Sequence, residues 1–295
     1  MRRFQLFEIE DQAWLPNGIR EALTDYLQFV TDRTQPYAPI IPQLENALEQ
    51  TRARQIVDLC SGGAGPWLSL KSVLLQSRSV KVLLTDKFPN VEAFRRAEAL
   101  SDGAIEFTVE SVDAPNVPDE MLGFRTLFTS FHHFRPAEAR AILSDAVRKN
   151  QGIGVFEATH RSALAILLMF VTPFLALVFT PFIRPFRLSR LFWTYLVPVV
   201  PFIILFDGIV SCLRTYTLAE LETLSAEASS GTQYQWEIGE QRGKWQPLPV
   251  TYLLGYPTAA EQFNGREGET AVFFSRCPLN SSGLGGGFAP RQFSR

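Results

Sequence analysis

Cysteine is scarce in this chain: three in 295 residues, Cys60, Cys212 and Cys277, odd in number and widely spaced. That excludes a disulfide framework and a cysteine metal cluster, and it fits a reducing compartment. No metal ligand set is expected. An excess of charge is missing too. The formal net charge is −2, so no basic surface advertises nucleic acid and no nucleic-acid partner is expected. The opening stretch MRRFQLFEIEDQ meets acids before any apolar run develops, and no secretory signal is expected. Neither GxGxxG nor GxxxxGK[ST] occurs, and there is no internal repeat. What is present is enough chain for one large α/β domain or two small ones, with a buried core.

Residues 1–50 carry helical periodicity. NGIREALTDYLQFVTDR places Ile19, Leu23, Tyr26, Leu27 and Val30 on one stripe, and IIPQLENALEQ resumes the pattern after Pro36. Strand and helix signals then alternate. QIVDL, VKVLLTD, IEFTVES, FRTLFTSF and GIGVFEA read as strands. A helix opening near Pro66, then NVEAFRRAEAL and PAEARAILSDAVRKN, read as the helices between them. Nearly continuous apolar strands in such alternation imply a parallel sheet covered on both faces. After an interruption, TLAELETLSAEA reads as a helix. YQWEIGEQR and PVTYLLGYP read as an antiparallel edge hairpin. The expected division is a helical cover over 1–50, a Rossmann-like domain over 51–161 and 214–275, an apolar helical insertion over 162–213, and a flexible glycine-rich tail over 276–295.

The first strand ends in Asp58 and runs into Ser61, Gly62, Gly63, Ala64 and Gly65. A dinucleotide needs its pyrophosphate against a helix N-terminus and hence strict glycine spacing, which this loop lacks. S-adenosylmethionine carries no phosphate, and its loop tolerates Ser or Ala. Asp86 ends the next strand, where an acid can meet a ribose. Taken in order, VDLCSGGAGPW, VLLTDK, ESVDA and TSFHHF resemble the motif set of class I S-adenosylmethionine-dependent methyltransferases, over roughly residues 51–157. The resemblance implies S-adenosyl-L-methionine as the cofactor. Asp58 and the Ser61–Gly65 loop would hold its methionine end. Asp86, with Lys87 beside it, would take the ribose hydroxyls and Asp113 the adenine amine. Thr129–His133, including Ser130 and Phe131, would border the sulfonium. Cys60 and Ala64 stand where the commoner motif has glycine. Each of these residues also has a plainer reading: a strand-to-helix turn for the glycines, a cap or loop acid for Asp86 and Asp113.

His132 and His133 are two of only three histidines. Histidine titrates in the range a general base needs, and methyl transfer to an acceptor that must lose a proton can use one. In the other reading one imidazole packs beside the cofactor and the other caps the next helix. Glu157 and His160 follow the next strand on the ligand-binding edge of such sheets. They are further catalytic candidates, though Glu157 can instead pair with Arg161.

Ser162–Ile183 and Leu191–Phe206 contain no charged residue. The first is long enough to span a bilayer, but both flanks belong to one domain. Five prolines, at 173, 181, 185, 198 and 201, also interrupt the run. A monotopic element fits better. Arg184, Arg187 and Arg190 would then sit at head groups, with Trp193 and Tyr195 in the interface. The competing reading is a lid or dimer interface of a soluble protein. Asp207, an acid in apolar surroundings, is either a functional group or a helix cap. Trp14, Tyr37, Trp67 and Asp207 are the candidates for an acceptor pocket.

The expectation is methyl transfer to a hydrophobic acceptor, a lipid or isoprenoid, on the cytoplasmic side of a membrane. A soluble cytoplasmic small-molecule methyltransferase and a silent cofactor-binding protein that docks on membrane are the alternatives.

Overall fold

The computed structural model describes residues 1–70, 80–244 and 246–258. The tail 276–295, Cys277 and the end of the 214–275 segment lie outside the described residues.

The apolar runs form one seven-stranded sheet. Its strands are β1 (Gln55–Asp58), β2 (Lys81–Asp86), β3 (Ile105–Ser111), β4 (Phe124–Phe128), β5 (Ile153–Glu157), β6 (Tyr234–Gln241) and β7 (Val250–Pro257). Their order is β3-β2-β1-β4-β5-β7-β6. The first five pair in parallel. β7 runs antiparallel to both β5 and β6, so the expected hairpin closes one edge. This is the strand order of the class I methyltransferase fold.

Neighbouring residues on a strand point to opposite faces, and the strands are apolar on both. Ile56, Phe156 and Leu254 face one core with Leu44 and Leu48 of α2 (Ile41–Thr51) and Phe94 of α4 (Val91–Ala99). Val57, Val155 and Leu253 face the other. There they meet Ile142 and Leu143 of α5 (Pro136–Arg148) and Leu221 and Leu224 of α10 (Leu218–Ala228). The helices start where local chemistry permits. The Asn90 side chain accepts the Ala93 N–H, and Thr217 with Glu220 forms a reciprocal capping box. A short helix α3 (Trp67–Leu70) follows the glycine loop.

The helix α1 (Asn17–Thr34) buries Ile19, Leu23 and Tyr26, whereas Leu27 is half exposed and drops out of the expected stripe. Its apolar side meets the insertion: Ile19, Leu23 and Tyr26 cluster with Ala176, Ile183, Val200 and Ile203. The insertion comprises α6 (Ala163–Met169), α7 (Thr172–Phe179), α8 (Leu188–Leu191) and α9 (Val199–Arg214). Around Val197 and Pro198 the chain bends by 74° between Leu188–Leu196 and Val199–Arg214.

One expectation for the insertion is corrected. Arg190 is buried and paired with Asp25, and Arg187 pairs with Glu21 at 2.6 Å and also with Glu92. Acids of α1 and α4 hold these two guanidiniums, so they are not free for head groups; only Arg184 stays exposed. The apolar side chains behave otherwise. Leu164, Leu167, Phe170, Phe174, Val178 and Phe182 recur every three or four residues and are all at least half exposed.

Candidate active site

The ends of β1 to β5 share one edge of the sheet, and the candidate site is built there. Asp58 is buried at the end of β1. Its Oδ1 accepts the Thr126 hydroxyl at 2.6 Å and its Oδ2 the Ser61 hydroxyl at 2.7 Å. Burial pushes the carboxyl up to about 7, with those two hydroxyls acting in the opposite direction.

The loop beyond is wound through the left-handed region. Cys60, Gly62, Ala64 and Gly65 have φ of 58°, 53°, 102° and 58°. Two of these are not glycine, and such strain concentrates at binding sites. Thr129, directly after β4, is a β-branched residue at φ 42°. Gly63 answers to a different constraint. A Cβ there would stand 3.1 Å from the Thr24 carbonyl oxygen, because α1 lies directly on the loop.

Asp86 reaches the same loop. Its Oδ2 accepts the Gly62 N–H and its Oδ1 the Phe88 N–H, both at 2.8 Å. A carboxylate offers about four acceptor positions, so capacity for a diol remains. Lys87 and Asp113 form an exposed ion pair at 3.2 Å. Ser130 is buried beside Cys60. Phe131 packs into the core with its ring 5.5 Å from that of Tyr216. The edge therefore supplies a buried carboxylate, a strained loop and a second acid. That donor set fits an amino-acid end and a ribose.

Of the expected acceptor-pocket residues, Tyr37 and Trp67 come together on Phe128, with ring centroids 4.9 Å and 5.4 Å from it. The Tyr37 hydroxyl hydrogen-bonds Thr129 Oγ1 at 2.5 Å. Trp14 is exposed at the surface. Asp207 accepts the backbone N–H groups of Ile9 and Glu10 at 2.8 Å and 3.0 Å. It thus fastens the N-terminal segment to α9 and offers both oxygens to that task.

His132 and His133 lie under the same N-terminal segment. His132 is buried, with Nδ1 2.7 Å from Glu157 Oε2, and its backbone N–H donates to Glu157 Oε1. His133 Nδ1 lies 2.9 Å from Asp11 Oδ1 and 3.2 Å from Glu8 Oε2. Burial alone would lower the His133 pKa, but Glu8 and Asp11 raise it to about 9. At neutral pH His133 is therefore proton-loaded, which opposes the general-base reading of this residue. His160 is turned away to the Pro249 carbonyl at 2.5 Å. Arg161 takes Glu220 at 2.7 Å and leaves Glu157 to His132.

Glu8, Asp11 and Arg214 are the members of this cluster that sequence reasoning missed. Arg214 Nη1 lies 3.2 Å from Glu8 Oε1 and 3.3 Å from Asp11 Oδ2, and its other nitrogens donate to the carbonyls of His132 and His133. The acid-rich EIED was the available signal, but nothing local says what such a segment will cover.

No family model matches the chain, and no curated protein sequence matches it. Among solved structures it is similar to an O-methyltransferase family protein from Burkholderia thailandensis, at 16% identity and a TM-score of 0.47. It is similar also to human N-acetylserotonin methyltransferase in complex with S-adenosylmethionine, at 13% identity and a TM-score of 0.47. The match covers 80% of this chain and 59% of the first, and 83% of this chain and 57% of the second. A protein described as a zinc-dependent alcohol dehydrogenase from Rhodobacter sphaeroides is similar at 14% identity and a TM-score of 0.46, covering 81% of this chain and 98% of that one. The class I methyltransferase fold is accordingly read from the strand order, not from these names.

Proposed function

We propose that this protein transfers the methyl group of S-adenosylmethionine to a hydrophobic acceptor, a lipid or isoprenoid, taken from a membrane face. The reading is carried by one observation. The outward apolar stripe of α6 and α7 belongs to the segment that leaves the sheet at the end of β5, on the edge that holds the Asp58–Gly65 loop. Ala163–Phe182 is long and apolar enough to span a bilayer, and most of it is exposed. A core helix of a soluble protein would be covered. Exposed apolar area of this extent calls for a membrane or a partner surface. The bend after Leu196 and the return of the chain to the same domain favour an element lying in one leaflet.

In the reaction the acceptor attacks the methyl carbon opposite sulfur. S-adenosylmethionine would supply an electrophilic methyl group and keep the carbon–sulfur electron pair as S-adenosylhomocysteine, and a proton lost by the acceptor would pass to solvent. Alignment does most of the work in such a displacement. Asp58, the glycine loop and Asp86 would orient the cofactor, and Tyr37 and Trp67 border the end of β4 where the methyl group would point.

A second reading has its own support. α1 lies on Gly63 and is joined to the insertion through Arg190 and Asp25, which also suits a lid over a soluble substrate. The test is incubation of the protein with methyl-labelled S-adenosylmethionine and either a membrane lipid extract or a water-soluble extract. Label in the organic phase is expected. Label only in soluble products sustains the lid reading, and cofactor binding with no transfer to either extract leaves a silent binding protein.

A further inference from the structure

The histidine pair, with His132 buried and His133 27% exposed in its side chain, has a feature that methyl transfer does not use. His132 lies with Nδ1 2.7 Å from the Glu157 carboxylate, which leaves Nε2 as the ring nitrogen not engaged there. That Nε2 is buried and has no hydrogen-bond partner. It faces Glu8 Oε1 at 3.7 Å, beyond hydrogen-bond reach. The other Glu8 oxygen is turned to His133 Nδ1 at 3.2 Å. One ligand atom from each of Glu8, His132 and His133 falls within 4.8 Å of the others. A tetrahedral ion with bonds of about 2.0–2.1 Å holds its ligands about 3.4 Å apart, so small side-chain shifts close the set.

We propose that Glu8, His132 and His133 form a site for one divalent transition-metal ion of the zinc type. Two imidazoles and a carboxylate suit zinc better than magnesium or calcium, which prefer all-oxygen shells. The surroundings agree. Glu157 fixes the His132 tautomer from behind, as carboxylates do for metal-bound imidazoles. Arg214 and the Ser211 hydroxyl hold Glu8 through Oε1, leaving Oε2 to the metal. Asp11, on the solvent side and 40% exposed in its side chain, borders the fourth position and the entry path. The carboxylates of Glu8 and Asp11 share one guanidinium in contact with them among the described residues, that of Arg214; their other cationic neighbour is His133, whose proton a bound ion displaces. A divalent ion takes over that charge. It would also clasp the N-terminal segment, through Glu8, to the residues that follow β4. The inference does not rest on methyl transfer.

The chain has only three histidines, which makes the test sharp. The untagged full chain is stripped with chelator and titrated with Co²⁺, then Zn²⁺. The expected result is one Co²⁺ per chain with the visible absorption of a four-coordinate site, displaced by Zn²⁺. The imidazole NMR signals of His132 and His133 move while that of His160 does not. Glu8→Gln and His132→Asn each weaken Co²⁺ binding by about tenfold or more, and His160→Asn does not. Absence of stoichiometric binding to the wild-type chain overturns the proposal. So does perturbation of His160 alone, or unchanged affinity in the Glu8 and His132 variants. The NMR readout needs no variant, so a variant that fails to fold does not blunt the test.

Discussion

Arg190, in the insertion, buries its guanidinium against the Asp25 carboxylate in the middle of α1, and its Nη1 also donates to the carbonyls of Ile183 and Pro185 at 3.2 Å. Both side chains are almost wholly inaccessible. The pair joins two segments 165 residues apart and decides how the insertion is aimed relative to the glycine loop, on which α1 rests.

Removing one member leaves a buried charge without its partner, at a cost of about 3–5 kcal/mol. Asp25→Ala is therefore expected to lower the unfolding free energy by that amount. A paired apolar replacement, Asp25→Leu with Arg190→Met, should lose much less, because no charge is then stranded. Denaturant unfolding of the three proteins checks this. A cost below about 1 kcal/mol for Asp25→Ala would mean that water reaches the guanidinium.

Asp86 controls the loop more directly than its place at a strand end suggests. By accepting the Gly62 N–H at 2.8 Å it holds a residue at φ 53° that a side chain would disfavour. A hydrogen bond to a charged acceptor contributes about 1.5–3 kcal/mol. Asp86→Ala should weaken S-adenosylmethionine or S-adenosylhomocysteine binding by roughly tenfold to a hundredfold. The midpoint of thermal unfolding should fall as well, because the same hydrogen bond holds the loop in the free protein. Calorimetric titration reads the first and a melting curve the second. Undiminished affinity would remove Asp86 from the cofactor site.

Much of this was legible in the sequence, and the reason is local. Ile56, Val57 and Val155 lie in short, nearly continuous apolar runs that alternate with helix signals, which reads as strands buried on both faces. Asn90 and Thr217 mark helix starts by their own side chains. The glycine loop could be placed because turn chemistry is written in adjacent residues. The cluster around His132 could not. Glu8 and His132 are 124 positions apart, and their meeting depends on Asp207 catching the backbone at Ile9 and Glu10. Nothing in LFEIEDQ encodes that. The arginines of RPFRLSR misled for the same reason. Their composition suits head groups, but the acids that hold Arg187 and Arg190 come from α1 and α4.

Asp58 gives the fold a dependence on pH. Its carboxyl titrates near 7 when folded and at about 3.9 in the unfolded chain. Between those values the folded protein retains a proton that the unfolded chain has lost. Stability from this group therefore falls as pH rises from about 4 to about 7 and is level above. One proton sets a limit of about 1.4 kcal/mol per pH unit. Asp58→Asn removes the titration and keeps an oxygen for the Thr126 hydroxyl. The unfolding free energy of this variant should fall less steeply between pH 5 and about 7 than that of the wild type. Identical slopes would show the carboxylate to be ionised across the range.

The outward stripe of the insertion separates membrane contact from folding. Leu167 and Phe174 are 65% and 68% exposed, so neither contributes much to the interior. Each is worth about 1.5–3 kcal/mol when moved fully from water into an apolar phase, and a charge in its place adds a penalty. Leu167→Glu with Phe174→Glu should therefore reduce flotation with lipid vesicles by at least about tenfold. The unfolding free energy should change by no more than about 0.5 kcal/mol, as for other surface positions. Loss of both flotation and stability would mean that the stripe is covered within a dimer. Flotation equal to that of the wild type would place the membrane contact elsewhere, or nowhere, on the molecule.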